Sequence, residues 1–255
     1  MEFFFFQLFL FLIALFSNSL SAFAGGGAGL IQLPMLILLG LPFSVALATH
    51  KLASVSLGVG ASLRHFKEKS LQPSLAISIL ASGLPGVILG AKAALTIPES
   101  FSLVLLGLLT LSVACYSIKN SKFGMIEKPV ILNKSNLIIG CVVLFVLGFL
   151  NGSFSSGTGL FVTLWLVRWF QLSYTKSVAY TLILVGLFWN GAGAVVLGLN
   201  GQIQWRWLPM LFAGSLVGGY LGAHFSLLKG NRLVKSIFEF VSLFVGISLL
   251  ARALF

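Results

Sequence analysis

The sequence has no aspartate, and its acidic side chains are only five glutamates: Glu2, Glu68, Glu99, Glu127 and Glu239. The first four fall at ends or in polar stretches, and Glu239 lies a few residues into the last apolar run. No pair of carboxylates is therefore placed to hold Mg²⁺ or to share a proton. There is no G-x-x-x-x-G-K-[ST] phosphate loop, so this chain does not hydrolyse ATP. Its three histidines and two cysteines show no metal-ligand spacing, which argues against zinc. Cys115 and Cys141 read as small packing residues. A membrane-embedded transferase would need an activated nucleophile or an acid/base pair, and the lack of carboxylates weighs against one. No cofactor is expected. Charged residues make up 8% of the chain, against roughly a quarter in soluble domains.

What the chain does have is apolar surface. Hydrophobic residues reach 58%, and several runs approach the roughly 20 residues that cross a bilayer. Their apolar character is continuous rather than alternating, which fits helices and not barrel strands. The fold class expected is an all-α polytopic membrane protein. The net charge of +11 gathers in short loops, as cytoplasmic loops require, and does not point to nucleic acid. Residues 3–16 with Ala22-Phe23-Ala24 resemble a cleavable leader, but the Met1-Glu2 start lacks its basic region. Residues 1–24 are therefore read as structure.

The chain is duplicated. At an offset of 132, Ala81, Leu84, Gly86, Leu89, Gly90 and Ala91 reappear as Ala213, Leu216, Gly218, Leu221, Gly222 and Ala223, and Thr49 as Thr181. Near an offset of 130, Gly27 and Gly29 reappear as Gly157 and Gly159. The reading is a first transmembrane repeat over 1–118, a basic cytoplasmic linker over 119–136 and a second repeat over 137–255. Each repeat opens with a glycine-broken apolar run, 3–42 and 137–172. Three spans follow in each: 43–63, 73–95 and 100–118, then 177–198, 205–226 and 233–253. That makes about eight spans, each break being a hairpin or a full crossing. The basic sets Arg64/Lys67/Lys69, Lys119/Lys122/Lys128/Lys134, Arg168/Lys176 and Lys229/Arg232/Lys235 share one side only if the two repeats are inverted. Lys92 and Arg206 would then lie on the other side. Glycine-interrupted segments at matching places in two halves mark a transporter's binding site.

Lys51 is the most conspicuous residue, a cation in the middle of the span 43–63. A charge at membrane depth costs roughly 2.5–3.5 kcal/mol on insertion scales. One reading gives it an anionic passenger; the other has it snorkel or bond a carbonyl of a broken helix. Its neighbour His50 is either a hydrogen-bonded packing residue or a proton carrier. Thr49 and Thr181 either bond back to their own helices or offer hydroxyls to a ligand. The clusters holding Gly26, Gly27, Gly29, Gly157, Thr158 and Gly159 either leave helix N-termini able to receive an anion or serve close helix packing. Asn190, inside a second-half span, bonds either another helix or the ligand.

These residues carry a resemblance. Ala24 to Gly29 with Leu33-Pro34, then Gly40-Leu41-Pro42, then Ala46 to Leu52, together with Gly157-Thr158-Gly159, Ala179 to Thr181 and Asn190, are similar to the TauE/SafE family of membrane transporters. The resemblance covers both halves. It implies a multi-pass carrier of the bacterial cytoplasmic membrane for sulfite, sulfonates or related sulfur-containing or organic anions, with no cofactor. Some relatives place an acidic residue before the first glycine cluster and a lysine after the second-half threonine, where this chain has Leu182 and Ile183. The function expected is secondary transport of a small anion by alternating access around a midplane site. The rivals are an accessory or scaffold subunit without transport of its own, and a membrane-embedded transferase. The expected partners are the anion, the lipid bilayer and, as an option, further copies of the chain.

Overall fold

The computed structural model describes residues 2–65, 71–96, 99–120, 125, 134–155, 157–200 and 203–254. Lys67, Glu68, Lys69, Lys122, Glu127 and Lys128 lie outside the described residues, as does most of the expected linker. Among the described residues all regular structure is helical. In chain order the helices are α1 (Glu2–Ala24), α2 (Ala28–Leu38), α3 (Phe43–His65), α4 (Pro73–Ala93), α5 (Glu99–Lys119), α6 (Lys134–Phe154) and α7 (Thr158–Arg168). Next comes one continuous rod: α8 (Tyr174–Tyr180), a π-helical segment (Thr181–Trp189) and α9 (Asn190–Gly198). A 3₁₀ turn (Trp205–Trp207) leads into α10 (Leu208–Leu254).

Among the described residues five helices are long and apolar enough to cross a membrane: Phe3–Ala24, Pro73–Ala93, Asn136–Phe154, Tyr174–Gly198 and Trp205–Ala251. The last has 47 residues, far more than a bilayer of about 30 Å needs at 1.5 Å per residue. Gly230, at φ 73, breaks α10 into two limbs, 208–229 and 231–254. α3 has 23 residues but is not among the five, because His50, Lys51 and its serines dilute its apolar character.

Small residues set the packing, as expected where lipid supplies no hydrophobic drive between helices. α1 lies along the first limb of α10, where a methyl group at Gly218 would fall 2.6 Å from the Leu15 carbonyl oxygen. α4 lies along α6 in the same manner, with Gly86 and Gly90 facing the Phe145 and Phe149 carbonyls. α3 is laid against the π segment, Gly58 meeting Gly186 and Leu187. At the far end of α5, buried Lys235 of the second α10 limb donates to Glu239 at 2.6 Å and to the Ser117 carbonyl at 2.9 Å. The Ser117 hydroxyl also donates to Glu239 at 2.8 Å. That cluster ties α5 to α10 without an unpaired charge.

Candidate functional site

Two helix ends and two helix starts meet at the centre of the bundle. α1 stops at Ala24 because Gly25, Gly26 and Gly27 take φ values of 86, 145 and 100, a region closed to most side chains. α6 stops at Phe154, followed by Ser155 at φ 59 and Gly157 at φ 74. α2 and α7, 11 residues each, start just beyond, and neither has a side-chain cap. The breaks touch: a methyl on Gly26 would lie 2.5 Å from the Gly159 carbonyl carbon.

Beside this contact lies a cavity of about 40 Å³, room for more than a single water. Its wall includes Ser21 of α1, Gly26 to Gly29, His50 and Ser54 of α3, Asn151 and Ser155 at the end of α6, Gly159, Thr181 and Asn190. Leu57, Leu182 and Val185 supply apolar surface. Four wall residues, Thr181, Leu182, Val185 and Gly186, belong to the π segment. π-helical turns recur at functional sites.

The polar groups of the wall divide into engaged and open ones. Asn151 is fully engaged: its amide nitrogen donates to Thr158 Oγ1 at 3.0 Å and to Asn190 Oδ1 at 3.5 Å, and its side-chain oxygen accepts from Lys51. Thr163 donates to the Gly25 carbonyl at 2.6 Å, and its hydroxyl lies 2.9 Å from that of Thr181. The hydroxyls of Ser21 and Ser155 and the amide nitrogen of Asn190 make no hydrogen bond among the described residues. All three residues are at least nine-tenths buried.

The expected site residues separate accordingly. Gly26, Gly27, Gly29, His50, Gly159, Thr181 and Asn190 form wall. Gly157 caps α7 from behind, and Thr158 accepts from Asn151 and donates to the Ser155 carbonyl at 3.0 Å. Thr49 is turned away from the cavity, its hydroxyl accepting the Gln204 backbone N–H at 2.9 Å. Lys51 is fully buried and stands behind the wall. Its ammonium donates to the Asn151 carbonyl at 2.6 Å and the Asn151 side-chain oxygen at 3.3 Å. It thus bonds the end of a broken helix, where carbonyls and the negative dipole end favour a cation. Its stem passes close to Gly193, where a methyl would sit 3.0 Å from Lys51 Cδ.

Sequence reasoning missed Ser21, Asn151 and Ser155. The offset of 130 that pairs Gly27 with Gly157 also pairs Ser21 with Asn151, and that signal was available. It also missed a buried polar chain behind His50. His50 Nδ1 lies 3.0 Å from Gln32 Oε1, and Asn18 donates to the same oxygen at 3.3 Å and to Ser215 at 3.0 Å.

Comparison with known proteins adds a family context to this geometry. The family described as "Sulfite exporter TauE/SafE" matches residues 10–249. A "Probable membrane transporter protein" of Haemophilus influenzae is 30% identical over 91% of this chain and 90% of its own length. "Probable membrane transporter protein ORF9" of a Sinorhizobium species is 27% identical, covering 95% of this chain and 92% of that protein. "Probable membrane transporter protein YfcA" of Escherichia coli is 25% identical, over 94% and 88%. No solved structure matches significantly.

Proposed function

The chain belongs to the sulfite exporter TauE/SafE family and is a multi-pass membrane transporter; on that premise we propose that it carries a small anion through the cavity between its two helix breaks. The anion is sulfite, a sulfonate or a related sulfur-containing or organic anion. Secondary transport runs across the bacterial cytoplasmic membrane, with the basic loops inside.

One observation carries this reading: the side chains of Ser21, Ser155 and Asn190, all without a donated hydrogen bond among the described residues, line one cavity. A ligand with several acceptor oxygens could take hydrogen bonds from all three at once. The starts of α2 and α7 face the same space and favour negative charge. Lys51 adds its charge indirectly, through Asn151. Thr181 lends a hydroxyl from the wall, whereas Thr49 fixes the entry to the 3₁₀ turn.

The movement we propose is a rocking of two inverted repeats, 1–118 and 137–255, about this cavity. Its support is the crossed packing. The first helix of each half lies against the third long element of the other half, α1 on the first α10 limb and α6 on α4. The purified protein in liposomes tests the reading. Labelled sulfite, thiosulfate, methanesulfonate and acetate are offered in turn. Entry of at least one sulfur anion well above protein-free liposomes, cut about tenfold or more in Asn190→Ala, is expected. Equal entry with and without protein would refute the reading.

A further inference from the structure

Among the wall residues named above, His50 is the one whose side chain can exist either neutral or singly charged, and its hydrogen-bond partners suit both states. One ring nitrogen faces Gln32 Oε1 at 3.0 Å, an acceptor in either state. The other faces the Ser54 hydroxyl at 3.4 Å, which can donate to a bare nitrogen or accept from a protonated one. The ring can take up a proton without moving any neighbour.

The charges around it decide when that happens. Lys51 is the adjacent residue and is fully buried. The groups facing His50 from the other elements are neutral: Asn18 and Ser21 of α1, Gln32 of α2, Asn151 of α6, and Thr181 and Asn190 of the α8–α9 rod. The wall holds no carboxylate. With the cavity empty, a protonated His50 would bury a second cation beside Lys51, an uncompensated charge. With an anion in the cavity, the added proton is offset by the passenger.

Behind the ring, Asn18 Oδ1 and Gln32 Nε2 are buried and make no hydrogen bond. Two such groups at one place fit a site that holds ordered water. They extend the polar path from His50 away from the cavity toward Ser215.

We propose that His50 is the proton site of this transporter: it binds one proton together with each anion, and both leave on the other side. For a monoanion the balance is one proton and one negative charge moved in the same direction, with no net charge transferred. This rests on the anion-carrier reading above.

The test uses the intact protein in liposomes that trap a pH dye, with labelled methanesulfonate, whose own charge is constant from pH 5.5 to 8. Imposing an inward methanesulfonate gradient should acidify the interior by about one proton per anion entering. His50→Gln should lower that ratio at least tenfold, whatever its absolute rate. Thr49→Val, outside the cavity, should keep the ratio near one. A second measurement needs no variant: methanesulfonate added to the detergent-purified wild type in weak buffer should draw about one proton per protein from solution. Entry of anion with no proton, or binding with no proton uptake, overturns this inference and leaves the carrier reading standing. No binding and no entry of methanesulfonate overturns the inference together with its application to sulfonates. A ratio that stays near one in His50→Gln overturns the assignment to this residue.

Discussion

The two helix breaks, Gly25 to Gly27 and Ser155 to Gly157, lie 130 residues apart in sequence and touch in the fold, yet they are closed by different means. At the end of α1 the Ser21 carbonyl accepts two backbone amides from just downstream, Gly25 at 2.8 Å and Gly26 at 2.9 Å. At the end of α6, among the described residues, the Asn151 carbonyl accepts one backbone amide, from Ser155 at 3.0 Å. Its second partner is the ammonium of Lys51, from another helix a hundred residues away. Counting 132 residues on from Lys51 gives Ile183, so the first break has no such cation. Three successive glycines let the first break satisfy itself. The second has a serine where the first has Gly25, and it borrows a charge. The lysine that looks in the sequence like a ligand thus holds the second break in shape, and the first break needs no equivalent.

Substitutions can break this comparison. The largest effect is expected at Gly26, at φ 145 and packed on Gly159. Gly26→Ala combines backbone strain with overpacking, about 3 kcal/mol or more, and should abolish the single sharp peak in size exclusion. Gly40→Ala shares a positive φ of 98 but has open space around it. It should cost only about 1 kcal/mol, read as a small drop in melting temperature. Next comes Lys51→Met, which leaves both Asn151 oxygens short of a donor. A loss of about 1–3 kcal/mol and at least a tenfold fall in flux are expected, with partial recovery in Lys51→Arg. A Lys51→Met protein as stable and active as wild type would show that the second break closes itself like the first.

Smaller effects should separate cavity from scaffold. Ser21→Ala and Ser155→Ala come from opposite breaks and should each weaken anion binding about tenfold, near 1.4 kcal/mol. Unequal losses would show that the anion sits against one break only. The smallest effect is expected for Thr49→Val. It loses the bond to the Gln204 amide, about 1 kcal/mol of stability, with flux unchanged. Thr181→Val, on the wall, should lower flux with little loss of melting temperature.

Much of the scaffold was legible because its determinants are local. The glycine clusters announce the ends of α1 and α6 through conformations that other residues resist. Apolar runs place the long helices within a few residues: the expected spans 205–226 and 233–253 became limbs 208–229 and 231–254. The site was less legible because its determinants are non-local. Serines in apolar helices ordinarily bond the carbonyl four residues back, as Ser17 does to Ile13 and Ser153 to Phe149. The offset of 130 could have singled out Ser21 through its match to Asn151, but nothing in the sequence marks Ser155. The stretch Thr181–Trp189 reads as a plain apolar helix, and its π form coincides with the close contact of Gly186 and Gly58. For Lys51 the sequence supplied both possibilities, passenger or helix end. The bond to Asn151 that favours the second is visible only in the fold.

The most direct test of the central claim is binding of labelled methanesulfonate, sulfite and thiosulfate to purified wild type and to a Ser21→Ala, Ser155→Ala, Asn190→Ala triple variant. The account predicts saturable binding of at least one of these anions to the wild type, and its loss by a hundredfold or more in a triple variant that still elutes as folded protein. Undiminished binding in that folded variant would place the anion elsewhere in the molecule.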